Sequence, residues 1–207
     1  DAIYQLAFGK SFFNPNASQN IAFKKDFYAV EGHFEINSRS EKIICSLKKG
    51  QKKQLKRNDK VYEKLADHIG LIPTVMITPI DRDLILEGSQ VRRKFMDGII
   101  GQTNSFFLKN LLDYQKVLSQ RNALLKYFAL NHTFDQKTLE VYDHQLVELS
   151  KPLYQARIEF IAAYLPLFIA RYQFISAAGE EIDLVYSSDL SDQTMEDLLT
   201  KNLAKDK

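Results

Sequence analysis

The sequence predicts an α+β protein in which a strand-rich first part gives way to a long helical second part. Three observations carry this. Residues 21–58 hold runs rich in Val, Ile, Phe and Tyr that alternate with polar side chains, the period of two that a half-buried strand requires. From Ser89 to about residue 178, apolar residues recur instead at steps of three and four, which is one face of a helix. Between them a β-branched run stops at Thr78-Pro79, a polar turn holds Asp81 and Asp83, and Ser89 opens a helix, which is how a sheet hands over to a helical layer.

In chain order, the first residues read as the end of a helix without an N-cap, closing at Gly9, where glycine suits a left-handed C-cap. The turn-forming loop SFFNPNASQN follows. Strands are expected over 21–36, 42–49 and 52–58, with Lys49-Gly50 or Gly50-Gln51 as the hairpin turn between the last two. Residues 61–70 read as a short helix ending at Gly70, and 72–78 as a buried strand. The helix opened by Ser89 is expected to bury Val91, Phe95 and Ile99.

The helix across 104–130 has apolar residues at Phe107, Leu111, Tyr114, Leu118, Leu125 and Phe128, and the skipped place in that seam is Arg121. A charge there must find a partner or an aqueous edge, because burying it alone costs on the order of several kcal/mol. The next segment, 135–178, runs Leu139, Tyr142, Leu146, Leu149, Leu153, Ala156, Phe160, Ala163, Leu167, Ala170 and Phe174, a heptad seam. Pro152 and Pro166 predict that it kinks or splits. An antiparallel helical hairpin turning near 131–135 is the economical arrangement. After Gly179, EEIDLVYSSDL reads as a strand, and the last residues as a helix capped by Ser191 or Asp192. The expected divisions are 1–78, 79–178 and 179–207.

Composition narrows the function classes. A chain of 207 residues with 45% hydrophobic residues can bury one core or two modest ones. No window approaches about 18 consecutive apolar residues and no leader is apparent, so no membrane partner and a cytoplasmic location are expected. Cys45 is the only cysteine, which excludes an internal disulfide; within IICSL it reads as a buried small hydrophobe. His33, His68, His132 and His144 show no ligand spacing, so no metal site is expected. A net charge of +2 neither demands nor excludes nucleic acid, so local charge decides.

The densest positive stretch is KKGQKKQLKRNDK, with Lys48, Lys49, Lys52, Lys53, Lys56, Arg57 and Lys60 against one Asp. On a hairpin it either tracks a phosphate backbone without reading bases or is a solvated edge that discourages sheet aggregation. Asp81 either orients water or Mg²⁺, or caps a turn; Asp83 reads as the cap of a turn at Leu84. Arg93 and Asp97 stand four apart and are expected to pair. Arg92 is open to a phosphate or inter-lobe contact, or to an ion pair with Asp81 or Asp83.

Three segments, DAIYQLAFGKSFF at 1–13, TPIDRDLILEGSQVRRKFMDG at 78–98 and LSQRNALLK at 118–126, resemble in order and spacing the RecF family of bacterial DNA repair and recombination ATPases. The resemblance implies part of an ABC-type ATPase lobe over 1–78, a helical second lobe with a hairpin arm over 79–178, and a return towards the ATPase core over 179–207. It implies ATP and Mg²⁺ in the complete protein, double-stranded and gapped DNA as ligand, RecR and RecO as partners in loading RecA, an SOS-linked role, and a homodimer formed on ATP. It places a lobe-connection nucleotide contact at Thr78 and Asp81, and DNA contacts at Lys48, Lys49, Lys52, Lys53, Lys56 and Arg57. Structural or inter-lobe roles fall to Arg92, Arg93, Asp97, Gln120, Arg121 and Asn122. Many relatives carry Arg where this chain has Phe13, so no phosphate or DNA contact carries over there.

No stretch reads G-x-x-x-x-G-K-[ST]. By the resemblance that phosphate-binding loop is expected just upstream of Asp1, and the signature and Walker B segments beyond Lys207. These residues alone are therefore expected to bind no cofactor and to hydrolyse no ATP. The rival expectation is a non-catalytic helical scaffold whose heptad hairpin docks a partner protein. A longer-armed relative of the SMC group is disfavoured by the length of the helices.

Overall fold

Phe27–Ile36 (β1), Arg39–Lys48 (β2), Gln54–Arg57 (β3) and Lys60–Val61 (β4) pair in chain order as an antiparallel meander in the computed structural model, which describes residues 1–14, 16–176 and 179–206. Turn chemistry sets the register. Asn37-Ser38 and Asn58-Asp59 all have φ between 48° and 66°, the left-handed pair that a two-residue hairpin needs. Gly50, at φ 76°, turns β2 towards β3, with Gln51 N–H donating to Lys48 O as the glycine foretold.

Alternation then sorts the faces. Ile43, Cys45, Leu47 and Leu55 point inward and are buried, and burial pushes the Cys45 thiol pKa up. The helix Ala2–Phe8 (α1), closed by Gly9 at φ 62°, lays Leu6 into this core beside Val30, Phe34, Tyr62, Leu71 and Ile72. Gly32 on β1 permits the approach, since a Cβ there would stand 2.5 Å from Leu6 Cδ1. Asp1 holds the N-cap position without capping; its carboxylate accepts instead from Ser11 Oγ and Phe12 N–H.

Several expectations change here. β1 starts at Phe27, because 17–20 form a 3-10 turn and Lys25 N–H closes a turn onto Ala22 O. Residues 61–70 form no α-helix: the Asn58-Asp59 hairpin sends the chain into β4, leaving one 3-10 turn at Leu65–Asp67. Residues 72–78 join no ladder among the described residues, and Val75 and Ile77 stay exposed; apolar alternation supplies a strand's pattern but not its neighbour. Gly70 packs so closely on the Gln102 carbonyl that a Cβ would come within 2.2 Å of it.

Two compact units divide the chain at 105/106. In the first, Asp83–Leu86 (α2) precedes Ser89–Thr103 (α3), which buries Met96, Ile100 and Gly101 while Phe95 is exposed.

In the second unit, Ser105–Asn131 (α4) and Gln136–Ser176 (α5) form the expected antiparallel hairpin. His132, at φ 50°, makes the turn, and Asp135 opens α5 by accepting from the Lys137 and Thr138 amides and Thr138 Oγ1. α5 does not split: the helix runs through both Pro152 and Pro166, although each proline lacks the N–H that the carbonyl four residues earlier would accept.

Its fully buried residues all lie in the first half. Leu139, Leu146, Ser150 and Leu153 are buried, whereas no residue from 156 to 175 is, and Phe174 is 85% exposed. Phe160, Tyr164 and Phe168 stack at four-residue steps along the second half, and Tyr172 continues the row at a tilt. With Glu159 and Arg171 as the sole charges between 158 and 175, α5 is long and apolar enough to cross a membrane, at mean hydropathy 1.3. The expectation of no run of about 18 consecutive apolar residues stands, because Glu159 and Arg171 interrupt this one.

The strand expected over 180–190 does not form: 181–188 join no ladder among the described residues, and Asp189–Ser191 make a 3-10 turn. Tyr186 lies against Tyr154, and Arg157 donates to its hydroxyl. Met195–Asp206 (α6) is capped by Thr194, not by Ser191 or Asp192: Thr194 Oγ1 accepts from Asp197 N–H while the Asp197 carboxylate accepts from Thr194 N–H. Ser188 caps the preceding 3-10 turn.

Candidate functional site

The basic stretch wraps the β2–β3 hairpin, and alternation splits it. Lys48, Lys49 and Lys52 are exposed about the Gly50 turn, while Lys53 and Lys56 are half-buried. Lys56 pairs across the sheet with Ile44 and so faces outward with Lys42 and Lys48.

Arg57 is different. Opposite Ile43 on the inner face, its Nε and Nη2 donate to the two Glu41 carboxylate oxygens at 2.8 and 2.6 Å, and Asn58 Nδ2 adds a third donor. The Arg57 hydrogen bonds hold the Glu41 carboxyl down to about 2, and the same pair raises the guanidinium pKa. Arg57 is thus engaged within the sheet. Sequence reasoning missed Glu41, although it lies on the inward alternation of β2 with Ile43, Cys45 and Leu47.

At the turn before α2, Thr78 N–H donates to Asp81 Oδ2 at 2.5 Å and Asp81 N–H returns to Thr78 O at 3.0 Å. This is the turn-capping geometry. Thr78 Oγ1 is buried without a hydrogen-bond partner. Asp83 stands 4.0 Å from Arg82 Nε. The turn holds one carboxylate already engaged by an amide and no run of phosphate-cradling N–H groups, so these residues do not by themselves fit ATP and Mg²⁺.

Arg92 forms no ion pair with Asp81 or Asp83 among the described residues. Its Nη1 donates to the carbonyls of Leu84 and Glu87, both at 3.0 Å, closing the C-terminal end of α2. Arg93 donates to Ser89 Oγ, and Asp97 is half-buried one turn further along α3.

Arg121 is buried, and its Nε meets Asp143 Oδ1 on α5 at 2.5 Å. Its neighbours Gln120 and Asn122 are exposed, and Gln120 lines an open groove between α4 and α5 with Asp113, Lys116, Gln145 and Glu148. Both buried seams include polar residues that the apolar reading stepped around. On α4 they are Asn110 and Arg121, and on α5 Asp143 and Ser150 occupy the three- and four-residue steps between Leu139, Leu146 and Leu153. Spacing alone, without the preference for apolar residues, would have found them. Among the described residues no three His, Cys, Asp or Glu side chains converge as metal ligands.

An antiparallel meander backed by a helix, together with long paired helices, is the α+β arrangement of ABC-type ATPases. No protein-family model matches the chain. It is 54% identical over its whole length to the DNA replication and repair protein RecF of Flavobacterium johnsoniae, spanning 58% of that protein. It is 39% identical to RecF of Phocaeicola vulgatus, spanning 55% of it. Among solved structures it is similar to the recombination mediator protein RecF-ATP in the RecFOR pathway, with a TM-score of 0.86 and 26% identity, over 99% of this chain and 57% of that one. The chain belongs to the RecF family and spans a little over half the length of the curated relatives it matches.

Proposed function

We propose that these residues serve a RecF-type DNA replication and repair ATPase, contributing a sequence-independent DNA contact and the lobe connection. The observation that carries this reading is the 54% identity to a RecF protein along the whole chain. On this reading the complete, cytoplasmic protein binds ATP with Mg²⁺ at residues other than those that form the Thr78–Asp81 turn, with Thr78 and Asp81 flanking that site. It dimerises on ATP, holds duplex and gapped DNA, and works with RecR and RecO to direct RecA; the 207 residues alone do not turn over ATP. The domain divisions 1–78, 79–178 and 179–207 belong to the same proposal.

The DNA contact falls to Lys48, Lys49, Lys52, Lys53 and Lys56, with Arg57 as their buttress. Reversing Lys48, Lys49 and Lys52 to Glu in the intact protein is expected to abolish DNA retention while ATP binding persists. Unchanged DNA affinity, or loss of DNA binding only together with ATP binding, would reject this assignment.

A second reading, a helical scaffold that docks a partner protein, has one observation in its favour: the exposed apolar side chains Leu167, Phe174 and Ile175 on α5. Salt-independent capture of a protein through Leu167, Phe174 and Ile175, with no DNA binding, would support it over the first.

A further inference from the structure

Phe23 is 89% exposed and Phe27 65%, at the same end of the sheet. Phe27 opens β1 on the outer face and stands directly opposite Lys48. Lys49 N–H donates to Asp26 O at 2.8 Å, which ties the Gly50 hairpin to the residues just before β1. Phe23 and Lys24 are the central residues of the turn closed by Lys25 N–H onto Ala22 O, so Phe23 lies within roughly 11 Å of Asp26 by chain reach.

Lys24 holds a left-handed φ of 62°, and its ammonium sits 5.6 Å from the Phe23 ring centre. Among the described residues Lys24, Lys25, Lys48 and Lys49 form no ion pair, and Asp26 is the one carboxylate set among them. The other end of the outer face is the reverse. There Glu31 binds His33 and Lys42, and Lys42 also reaches Asp59. The face is thus polarised, and an anionic ligand is drawn to the aromatic end.

We propose that this end is a stacking platform for single-stranded DNA, with Phe23 and Phe27 taking exposed bases and Lys24, Lys25, Lys48 and Lys49 following the phosphates. The proposal rests on the DNA-binding reading and adds to it the kind of strand and two aromatic contacts. In a duplex the base faces are stacked on one another and offer nothing to a ring. Unpaired bases present theirs, and every base has one, so the platform is indifferent to sequence.

The test uses the intact protein, an oligothymidylate carrying 2-aminopurine, and a duplex of the same length. Stacking on the rings is expected to quench 2-aminopurine. Phe23→Leu with Phe27→Leu, which keeps apolar bulk but removes the rings, is expected to weaken single-strand binding about five- to a hundredfold and to leave duplex affinity unchanged. Tyr at both positions is expected to restore binding. Lys24→Glu with Lys25→Glu is expected to lower the single-strand log–log salt slope by about 1.4. Leucine variants that match the unaltered protein on single strands would overturn the platform, while DNA binding sensitive to Lys48, Lys49 and Lys52 would leave the wider reading standing. Failure of the unaltered protein to bind either form of DNA would overturn both.

Discussion

Arg121 on α4 and Asp143 on α5 meet at 2.5 Å, with the arginine side chain 4% and the aspartate 24% exposed, and this pair bridges the two long helices through the seam that they share. Removing Asp143 takes away the carboxylate that Arg121 Nε meets in a buried place. Asp143→Ala is therefore expected to destabilise the helical unit by about 3 kcal/mol. Replacing both, as Arg121→Met with Asp143→Leu, is expected to recover most of that, because an apolar pair of similar volume has no desolvation cost to offset. Denaturant unfolding of the two variants checks this: equal losses would show that the arginine acts through packing rather than charge.

Glu41 gives the sheet an acid limit. Its folded-state pKa, about 2, lies below the usual carboxylate value of 4.5 because Arg57 and Asn58 donate to it. The unfolded chain therefore takes up this proton first as pH falls. The stabilisation is complete above about 4.5 and disappears as pH drops towards about 2. Unfolding midpoints measured from pH 6 to pH 2 are expected to fall more steeply for the unaltered protein than for Glu41→Gln. Parallel curves would mean that the pair contributes nothing to stability.

His68 adds a second pH dependence with a higher onset. It is fully buried, its Nε2–H donates to Leu6 O at 2.7 Å, and burial pulls its pKa below the ordinary histidine value. Below about pH 6.5 the unfolded chain binds a proton that the folded ring refuses, so stability drops as pH falls through that point and is full above it. His68→Gln keeps a donor for Leu6 and is expected to remove this slope. An NMR titration in which the His68 ring protonates at about 6.5 would contradict the assignment.

What the sequence made legible follows from whether a signal is local. The Gly9 cap, the Gly50 hairpin, the α4–α5 hairpin and the burial of Cys45 were readable, since each depends on residues within one turn or one alternation. The strands expected at 72–78 and 180–190 were not realised, because a strand is completed by a neighbour that its own residues do not specify. Arg57 looked like one more member of a basic run. Its commitment to Glu41, sixteen residues away, depends on sheet register. The arginine seam was half legible: Arg121's need for a partner was evident, but Asp143 was hidden by reading Tyr142 as the seam residue.

The Thr78–Asp81 turn separates structure from chemistry most cleanly. Asp81→Ala removes the acceptor for Thr78 N–H and is expected to cost about 1 kcal/mol, visible as a lowered melting temperature. Asp81→Asn retains an acceptor oxygen of the same reach but loses the negative charge. If Asp81 also faces nucleotide, Asp81→Asn in the intact protein is expected to keep its melting temperature and lose at least tenfold in ATP turnover or in ATP-dependent dimerisation. If it is only a cap, Asp81→Asn behaves as the unaltered protein in both measurements.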